Sequence, residues 1–492
     1  MLPLCLFRFF IPASGLLRAG IIGLLAAGLV SGCGGTTPNS QAFQATLPST
    51  VVNAPIYTAT PTFTPSPTLT ATATLTITPS PTLTPTFTLT PTATATATLT
   101  PSPVPTQALL TLTPVAANDA PAAYVNPPAV FQLAQGWSCD DFPCEDDVAG
   151  WLERIRVPQG YELEHAGKLP GQPMQITYGP DGRLYATVLE GGTRNGAVYA
   201  LNADGSSERY SGDLISPVGL AFQPGTAVLY VSARADLAHA GALYRIPAGG
   251  GEAEAIISDL PCCFSLIDNQ PNGMVFGPDG YLYMGIGSLT DRAESATPRT
   301  KPFADIFPNE AAVLRIQPHT AAVEVFASGL RNPYDVTFDA AGQFYATDSG
   351  LLTGPGDRLV ALTAGAHYGW PYWRNRGCSD CPLSPARLSI TPDLVRFPDF
   401  SLPRGLVAYT GSQFPVNQFG SVFVALWNGT TSAQRIVRID PRDPRLADEG
   451  YIPEPFVTGL IRPVDVTVAP DGTLVVADFI YGHVWRVRYQ DR

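Results

Sequence analysis

The chain has 492 residues and a formal net charge of −12 at pH 7, which speaks against nucleic acid as a partner, since phosphate binding wants a basic face. Its length exceeds what one simple domain needs and allows one large fold with extensions. Only Lys168 and Lys301 are lysines among 29 positive charges, a bias with no evident structural reason.

Residues 1–32 read as an export signal. Arg8 and Arg18 flank the short apolar run IIGLLAAGLV, and Ser31 and Gly32 precede Cys33. Val30-Ser31-Gly32-Cys33 resembles a bacterial lipobox, which implies cleavage before Cys33 and a lipid attached to it. An ordinary signal peptide or a membrane anchor is the alternative, and the run is short for a span. Each reading puts the mature chain outside the cytoplasm, and the lipobox anchors it to the membrane of the cell envelope. Residues 33–125 are a Thr/Pro-rich linker with near-repeats such as TPSPTLTATATLT. Its few bulky apolar side chains do not offset ordering entropy, so a disordered stalk is expected.

Residues 126–160 form a lead-in with cysteines. Six cysteines follow the stalk, an even number that suggests disulfides in an exported chain. Cys139–Cys144 and Cys378–Cys381 are the local bridges expected, with a metal or redox pair as the alternative for the second. Asp140, Asp141, Glu145, Asp146 and Asp147 read as a solvated acidic loop, with a Ca²⁺ site as the alternative. VAGWLERI fits a short amphipathic helix.

From 161 to 492 one pattern recurs: a proline, an alternating strand, a glycine turn, a second strand, then a third. The copies include QPMQITYGPDGRLYATV, NGMVFGPDGYLYMGIG, NPYDVTFDAAGQFYATD and RPVDVTVAPDGTLVVADF. Turn glycines fall at 182, 225, 280, 342, 420 and 472. Period-2 strands with such turns predict an all-β fold, a six-bladed β-propeller of four-stranded antiparallel blades. In a propeller the residues leading into each first strand converge at one mouth of the channel. Arg331, Asn332, Arg404 and Arg462 are therefore expected together, the arginines at equivalent repeat positions. Three guanidinium groups there suit a polyanionic ligand; solvated loop arginines or local ion pairs are the plainer alternative.

The motifs GLRNPYDVTFD, GPGDRLVALTAGAHYGWPYW, NGMVFGPDGYLYMGIGS, GLVAYTGSQFP and RPVDVTVAPDGTLVVAD resemble the glucose/sorbosone dehydrogenase family, over about residues 155–492. The resemblance implies a quinoprotein using pyrroloquinoline quinone (PQQ), a tricarboxylate lying over the channel mouth, with Arg331, Asn332 and Arg462 against the cofactor. It also implies a Ca²⁺ ion held by backbone carbonyls at Ser349-Gly350-Leu351, ahead of Gly356-Asp357, so that Gly350, Leu351 and Asp357 are the metal candidates. A histidine base is implied at the position occupied here by Asn269, an amide unable to serve as a base near neutral pH. Leu214 stands where the family has glutamine, and Arg358 where it has an acid. His239, His483, Asp268 and Asp348 are the replacement bases considered, with loop histidines and turn or strand-end caps as the alternatives. Asp348 reads as a strand-end cap, His483 as a loop histidine, and His367 as packing against Trp370.

Two functions follow. One is PQQ-dependent oxidation of a sugar or related polyol with an altered or lost base, handing electrons to an unidentified acceptor. The other is a non-catalytic propeller that binds carbohydrate or another envelope ligand.

Overall fold

In the computed structural model the described residues are 142–490 without 192–193, 237–239, 264–269, 294–308, 353, 429–432 and 449. The expected bases Asn269, Asp268 and His239, the cysteines Cys33 and Cys139, and the whole export signal and stalk lie outside them.

The described chain is almost entirely antiparallel β-sheet, with several sheets of four strands. One is Pro271–Phe276, Leu282–Ile286, Ala312–Ile316 and Val323–Ser328 in that order; another is Pro333–Phe338, Phe344–Asp348, Arg358–Leu362 and Val395–Arg396. A third runs Pro403–Ala408, Val422–Leu426, Arg435–Ile439 and Glu454–Thr458. The six turn glycines all sit at positive φ, between 74° and 83°, where a Cβ would strain the backbone. The hairpins anticipated from the glycine spacing are therefore where the sequence puts them.

Two departures matter. Tyr161–Lys168 does not lead into the first sheet; it pairs with His483–Tyr489, completing the sheet of Pro463–Val468 and Leu474–Asp478 from the outside. Nor are the first two repeats separate. The two-residue strand Leu214–Ile215 pairs with both Asn195–Leu201 and Leu229–Arg234, fusing them into one nine-stranded sheet. Its first-strand partner is cut to Leu220–Phe222, because Ser216 takes a positive φ of 45° just before Pro217. The first strands of the six repeats touch in sequence order, and Pro463–Val468 touches Gln172–Tyr178.

The helix Val148–Arg154 forms as anticipated. Asp147 caps it, accepting from Gly150 N at 2.9 Å, while Glu145 and Asp146 pair with Lys168 at 2.5 and 3.4 Å. The acidic run thus serves as a helix cap and ion pairs. Trp151, fully buried, lies beside His483 and Trp485. His483 Nε2 donates to Glu145 O at 2.9 Å, and its Nδ1 lies 3.0 Å from His165 Nε2. Burial, with His165 alongside, lowers the His483 pKa to about 4. His483 is thus a buried link to the lead-in segment. Cys378–Cys381 is bonded at 2.03 Å, as expected; Cys144 is also disulfide-bonded. The sulfurs of the adjacent Cys262 and Cys263 lie against each other. Among the described residues no helix is long and apolar enough to cross a membrane.

Candidate functional site

Each first strand is led in by a proline, and the chain just before it is held by the far end of the same hairpin. In the fourth repeat, Asp348 accepts from Arg331 N at 3.3 Å and Asn332 N at 2.7 Å. In the sixth, Asp478 accepts from Ile461 N and Arg462 N, both at 2.8 Å. Ser349 N to Asn332 O and Phe479 N to Arg462 O repeat the same geometry at 3.1 and 2.9 Å. Asp348 is therefore the cap its position suggested, with its oxygens committed to the backbone and to Arg358.

Arg358 is the hub behind that cap. Fully buried, it donates to Asp348 Oδ2 at 2.9 and 2.7 Å, to Gly329 O at 3.2 Å, to Tyr368 O at 2.6 Å and to Asp393 Oδ1 at 2.9 Å. Its guanidinium lies 4.9 Å from the Trp373 ring centroid. Against the upward pull of burial, Arg358 and Arg376 hold the Asp393 carboxyl down to about 2. His367 packs near Tyr372, with ring centroids 5.9 Å apart, and its Nδ1 accepts from Gly369 N at 3.0 Å. The contact expected with Trp370 is replaced by one two residues further on.

The three arginines are all buried, at 2 % exposure for Arg331, 1 % for Arg404 and 6 % for Arg462. They do not occupy equivalent positions. Arg331 stands two residues before its proline, Arg462 one before and Arg404 one after. Their surroundings divide them as well. Arg331 is paired to Asp291, Nε and Nη2 lying 3.0 and 2.9 Å from Oδ1. Asp291 Oδ1 also accepts from Leu352 N at 3.0 Å, so the charge of Arg331 is already met inside the protein. Arg404 and Arg462 instead share one aromatic side chain, with guanidinium carbons 5.1 and 5.5 Å from the Trp427 ring centroid. Arg462 Nη1 donates to Trp427 O at 3.1 Å and Asn428 Oδ1 at 3.0 Å. Burial, opposed by Asp478 and reinforced by the Arg404 charge, lowers the Arg462 pKa to about 10. A cation held that far from water gains from an anion beside it.

That pair and its indole fit a flat polycarboxylate: two desolvated donors and an aromatic edge. In the predicted metal loop the Asp357 carboxylate is committed to the backbone. Asp357 accepts from Gly350 N at 2.7 Å through Oδ1 and from Leu402 N at 3.0 Å through Oδ2. Burial raises it to about 6. It is a strut of the loop, and no group of three or more His, Cys, Asp or Glu able to hold a metal occurs among the described residues.

A layer below the arginines was not anticipated. The residue two after each leading proline is Gln175, Gly219, Gly273, Asp335, Gly405 and Asp465 in turn. The glycines make room for the acids: a Cβ on Gly273 would strike Asp335 Oδ1 and Gln175 Nε2, and one on Gly405 would strike Asp465 Oδ1. Asp335 accepts from Leu406 N at 3.0 Å and Val336 N at 2.9 Å, and Asp465 from Ile176 N at 2.6 Å and Val466 N at 2.8 Å. Each acid thereby ties its own strand to another. The signal was the recurring P-x-[Q/G/D], which sequence reading passed over.

Burial raises Asp335 to about 7, and burial plus the Asp335 charge raises Asp465 well above its ordinary value. An acid whose pKa rises on folding stabilises the fold at low pH and loses that contribution as pH climbs from the unfolded value, 3.8, toward the folded one. His483, depressed to about 4, works the other way between about 4 and 6.5. The difference between wild type and Asp335→Asn isolates the acid. Asp335→Asn is expected to flatten a loss of up to about 1.4 kcal/mol per pH unit per proton, measured by urea unfolding from pH 4 to 8. Parallel pH profiles for the two proteins would show that Asp335 keeps its ordinary pKa.

Residues 267–482 match the family model of glucose / sorbosone dehydrogenase. A Borreliella burgdorferi protein described only as uncharacterized is 25 % identical over 203 residues, covering 37 % of this chain and 53 % of the relative. The chain thus spans about half the length of that curated relative. Among solved structures, an oxidoreductase named as a glucose dehydrogenase from Thermus thermophilus superposes with TM-score 0.50 at 21 % identity, over 66 % of this chain and 99 % of that one. The holo PQQ domain of a Coprinopsis cinerea pyranose dehydrogenase gives 0.51 at 15 %, over 68 % and 97 %. A calcium structure of a Trichoderma reesei family AA12 carbohydrate-active enzyme gives 0.52 at 14 %, over 68 % and 97 %. At these identities the structural likeness speaks for the fold. Through residues 267–482, the chain matches the glucose/sorbosone dehydrogenase family.

Proposed function

We propose that this protein is a PQQ-dependent oxidoreductase that oxidises a CH–OH group of a sugar or related polyol outside the cytoplasm. The observation that carries the reading is the buried pair Arg404 and Arg462 around the Trp427 indole. The family match supports it, and the cyclic contacts of the first strands support a six-bladed propeller. PQQ, when bound, supplies a quinone that takes two electrons from the alcohol carbon.

The protein's own part is binding, orientation and proton handling. Arg404 and Arg462 hold carboxylates, and Trp427 fixes both guanidinium groups. Asn332, with its backbone N–H anchored on Asp348, lines the same mouth. Arg331 acts through Asp291 as a brace. A Ca²⁺ ion would use the carbonyls of Gly350 and Leu351 without Asp357, and no step is routed through it. Asn269 cannot take the substrate proton; Asp268 beside it is the proposed acceptor, with His239 the second candidate. Cys33 is the proposed lipid attachment that keeps the protein at the membrane, and the electron acceptor is a separate partner.

Steady-state reduction of an artificial acceptor, using the full chain with PQQ and aldoses, tests the reading. Turnover lost in Asp268→Asn but kept in His239→Gln is expected. PQQ binding without any turnover would favour the second reading, a carbohydrate-binding propeller, for which the amide at Asn269 is the specific argument.

A further inference from the structure

The last sheet is completed by Tyr161–Lys168, which pairs with His483–Tyr489. The register shifts between His165 and Gly167, a bulge that leaves Ala166 without a residue opposite. Gly167 there takes a φ of 145°, and a Cβ on it would lie 2.7 Å from Gly205 O. The bulge therefore packs directly on the turn that follows Asn195–Leu201 in the first sheet.

Where these two sheets meet lies a cavity of about 400 Å³, inside the range of about 300–1,000 Å³ usual for small-molecule sites. It sits at the turn end of the strands. Tyr178, in its wall, pairs with Leu184, whereas Gln172 pairs with Leu189 at the end beside the leading proline. Tyr178 stands five residues beyond Pro173, roughly 16 Å along the strand. Val475, also in the wall, is likewise toward the turn end of its hairpin, while Pro463 pairs with Asp478 at the other. The Arg404 and Arg462 pair belongs to that other end.

The polar groups in the cavity are of two kinds. Arg183 is spent: its Nε lies 2.7 Å from Asp181 Oδ2, and it also pairs with Glu208. Others are held loosely. Glu164 lies 3.5 Å from Arg488, Arg486 lies 3.5 Å from Asp471, and Arg486 Nη2 is 3.4 Å from the Tyr178 hydroxyl. Charge-assisted hydrogen bonds run at about 2.7–2.9 Å. A hydroxyl placed among these groups would gain shorter bonds than they make with their present neighbours.

Charge decides the class of ligand. In the lining, Glu164 and Asp181 balance Arg183 and Arg486. Burial lowers the pKa of His165, which also lines the cavity, so its imidazole is neutral at pH 7. An ionic ligand would have to compete with counter-charges already in place. A neutral ligand rich in hydroxyls would not, since each hydroxyl both donates and accepts. Ala166, Leu201 and the Tyr178 ring add apolar surface beside these groups, which suits the C–H face of a sugar ring.

We propose that this cavity binds a neutral sugar unit of a glycan, at a site separate from the one proposed for PQQ. The proposal does not depend on turnover, and the quinoprotein reading can fail while this site stands.

Calorimetric titration of the full chain without PQQ tests it, with cellotriose, maltotriose and N-acetylchitotriose as neutral probes and trigalacturonate as the charged control. At least one neutral probe is expected to bind about tenfold or more tightly than trigalacturonate, with little dependence on salt. Glu164→Gln and Arg486→Gln should each weaken that binding about tenfold. The ion pairs they remove are long and part-exposed, so neither variant should disturb the fold. Binding that ignores both variants would place the sugar elsewhere and overturn the proposal. So would tighter binding of trigalacturonate, or no binding of any neutral probe, the result expected of a cavity that holds only water.

Discussion

Replacing Arg358 with alanine is expected to cost about 3–5 kcal/mol of folding stability, because it leaves buried Asp348 without its counter-charge. For a domain of this size that corresponds to a Tm lower by about 4–7 °C. Arg358 reaches two carboxylates and two carbonyls from a fully buried position, so no solvent stands ready to replace it. Arg396 supplies the contrast. It pairs with the same Asp393 at 3.0 Å, but its side chain is 70 % exposed, and Arg396→Ala should change stability by less than about 1 kcal/mol. Urea unfolding of both variants checks the pair. Equal, small effects would show that the cap behind Arg331 and Asn332 carries little of the fold.

The second large effect concerns the cofactor. Arg404→Ala and Arg462→Ala are each expected to weaken PQQ binding about 10- to 150-fold, the range of one lost hydrogen bond to a charged group, about 1.5–3 kcal/mol. Arg331→Ala should instead act mainly on stability. Its guanidinium is spent on Asp291, and removing it leaves that buried carboxylate with Arg292 as its remaining ion pair among the described residues. The order of effects reverses what the motif alone suggests, where Arg331 carries the family likeness most visibly. Calorimetry on the three variants, alongside their unfolding curves, distinguishes these roles. An Arg331→Ala that folds normally and loses PQQ would restore the motif's ranking.

What sequence could show was local. The six turn glycines at positive φ and the leading prolines marked each hairpin, because turn chemistry is written in adjacent residues. Asp348 and Asp478 were equally legible: the repeats ending YATD and VVAD close their second strand on an acid, and these two acids cap the chain bearing Arg331 or Arg462. The alternation of Gln, Gly and Asp two residues after the prolines could have exposed the Asp335–Asp465 layer, since an acid facing a neighbouring strand needs a glycine opposite.

Other features depended on partners far along the chain. Asp291 lies 40 residues from Arg331, in a stretch without repeat character, so nothing nearby announced that the arginine is neutralised. Tyr161–Lys168 precedes the first recurring copy, and only its pairing with His483–Tyr489 reveals that it finishes the last sheet. The fusion of the first two repeats through Leu214–Ile215 hangs on one residue, Ser216, whose positive φ has no signature beyond the proline that follows.

The central claim is tested most directly by titrating PQQ into the purified full chain, by calorimetry and absorbance, with wild type beside Arg404→Ala and Arg462→Ala. Saturable binding of one PQQ per chain, weakened in both variants, is the predicted result. No binding to the folded wild-type protein, or binding that ignores both arginines, would contradict it.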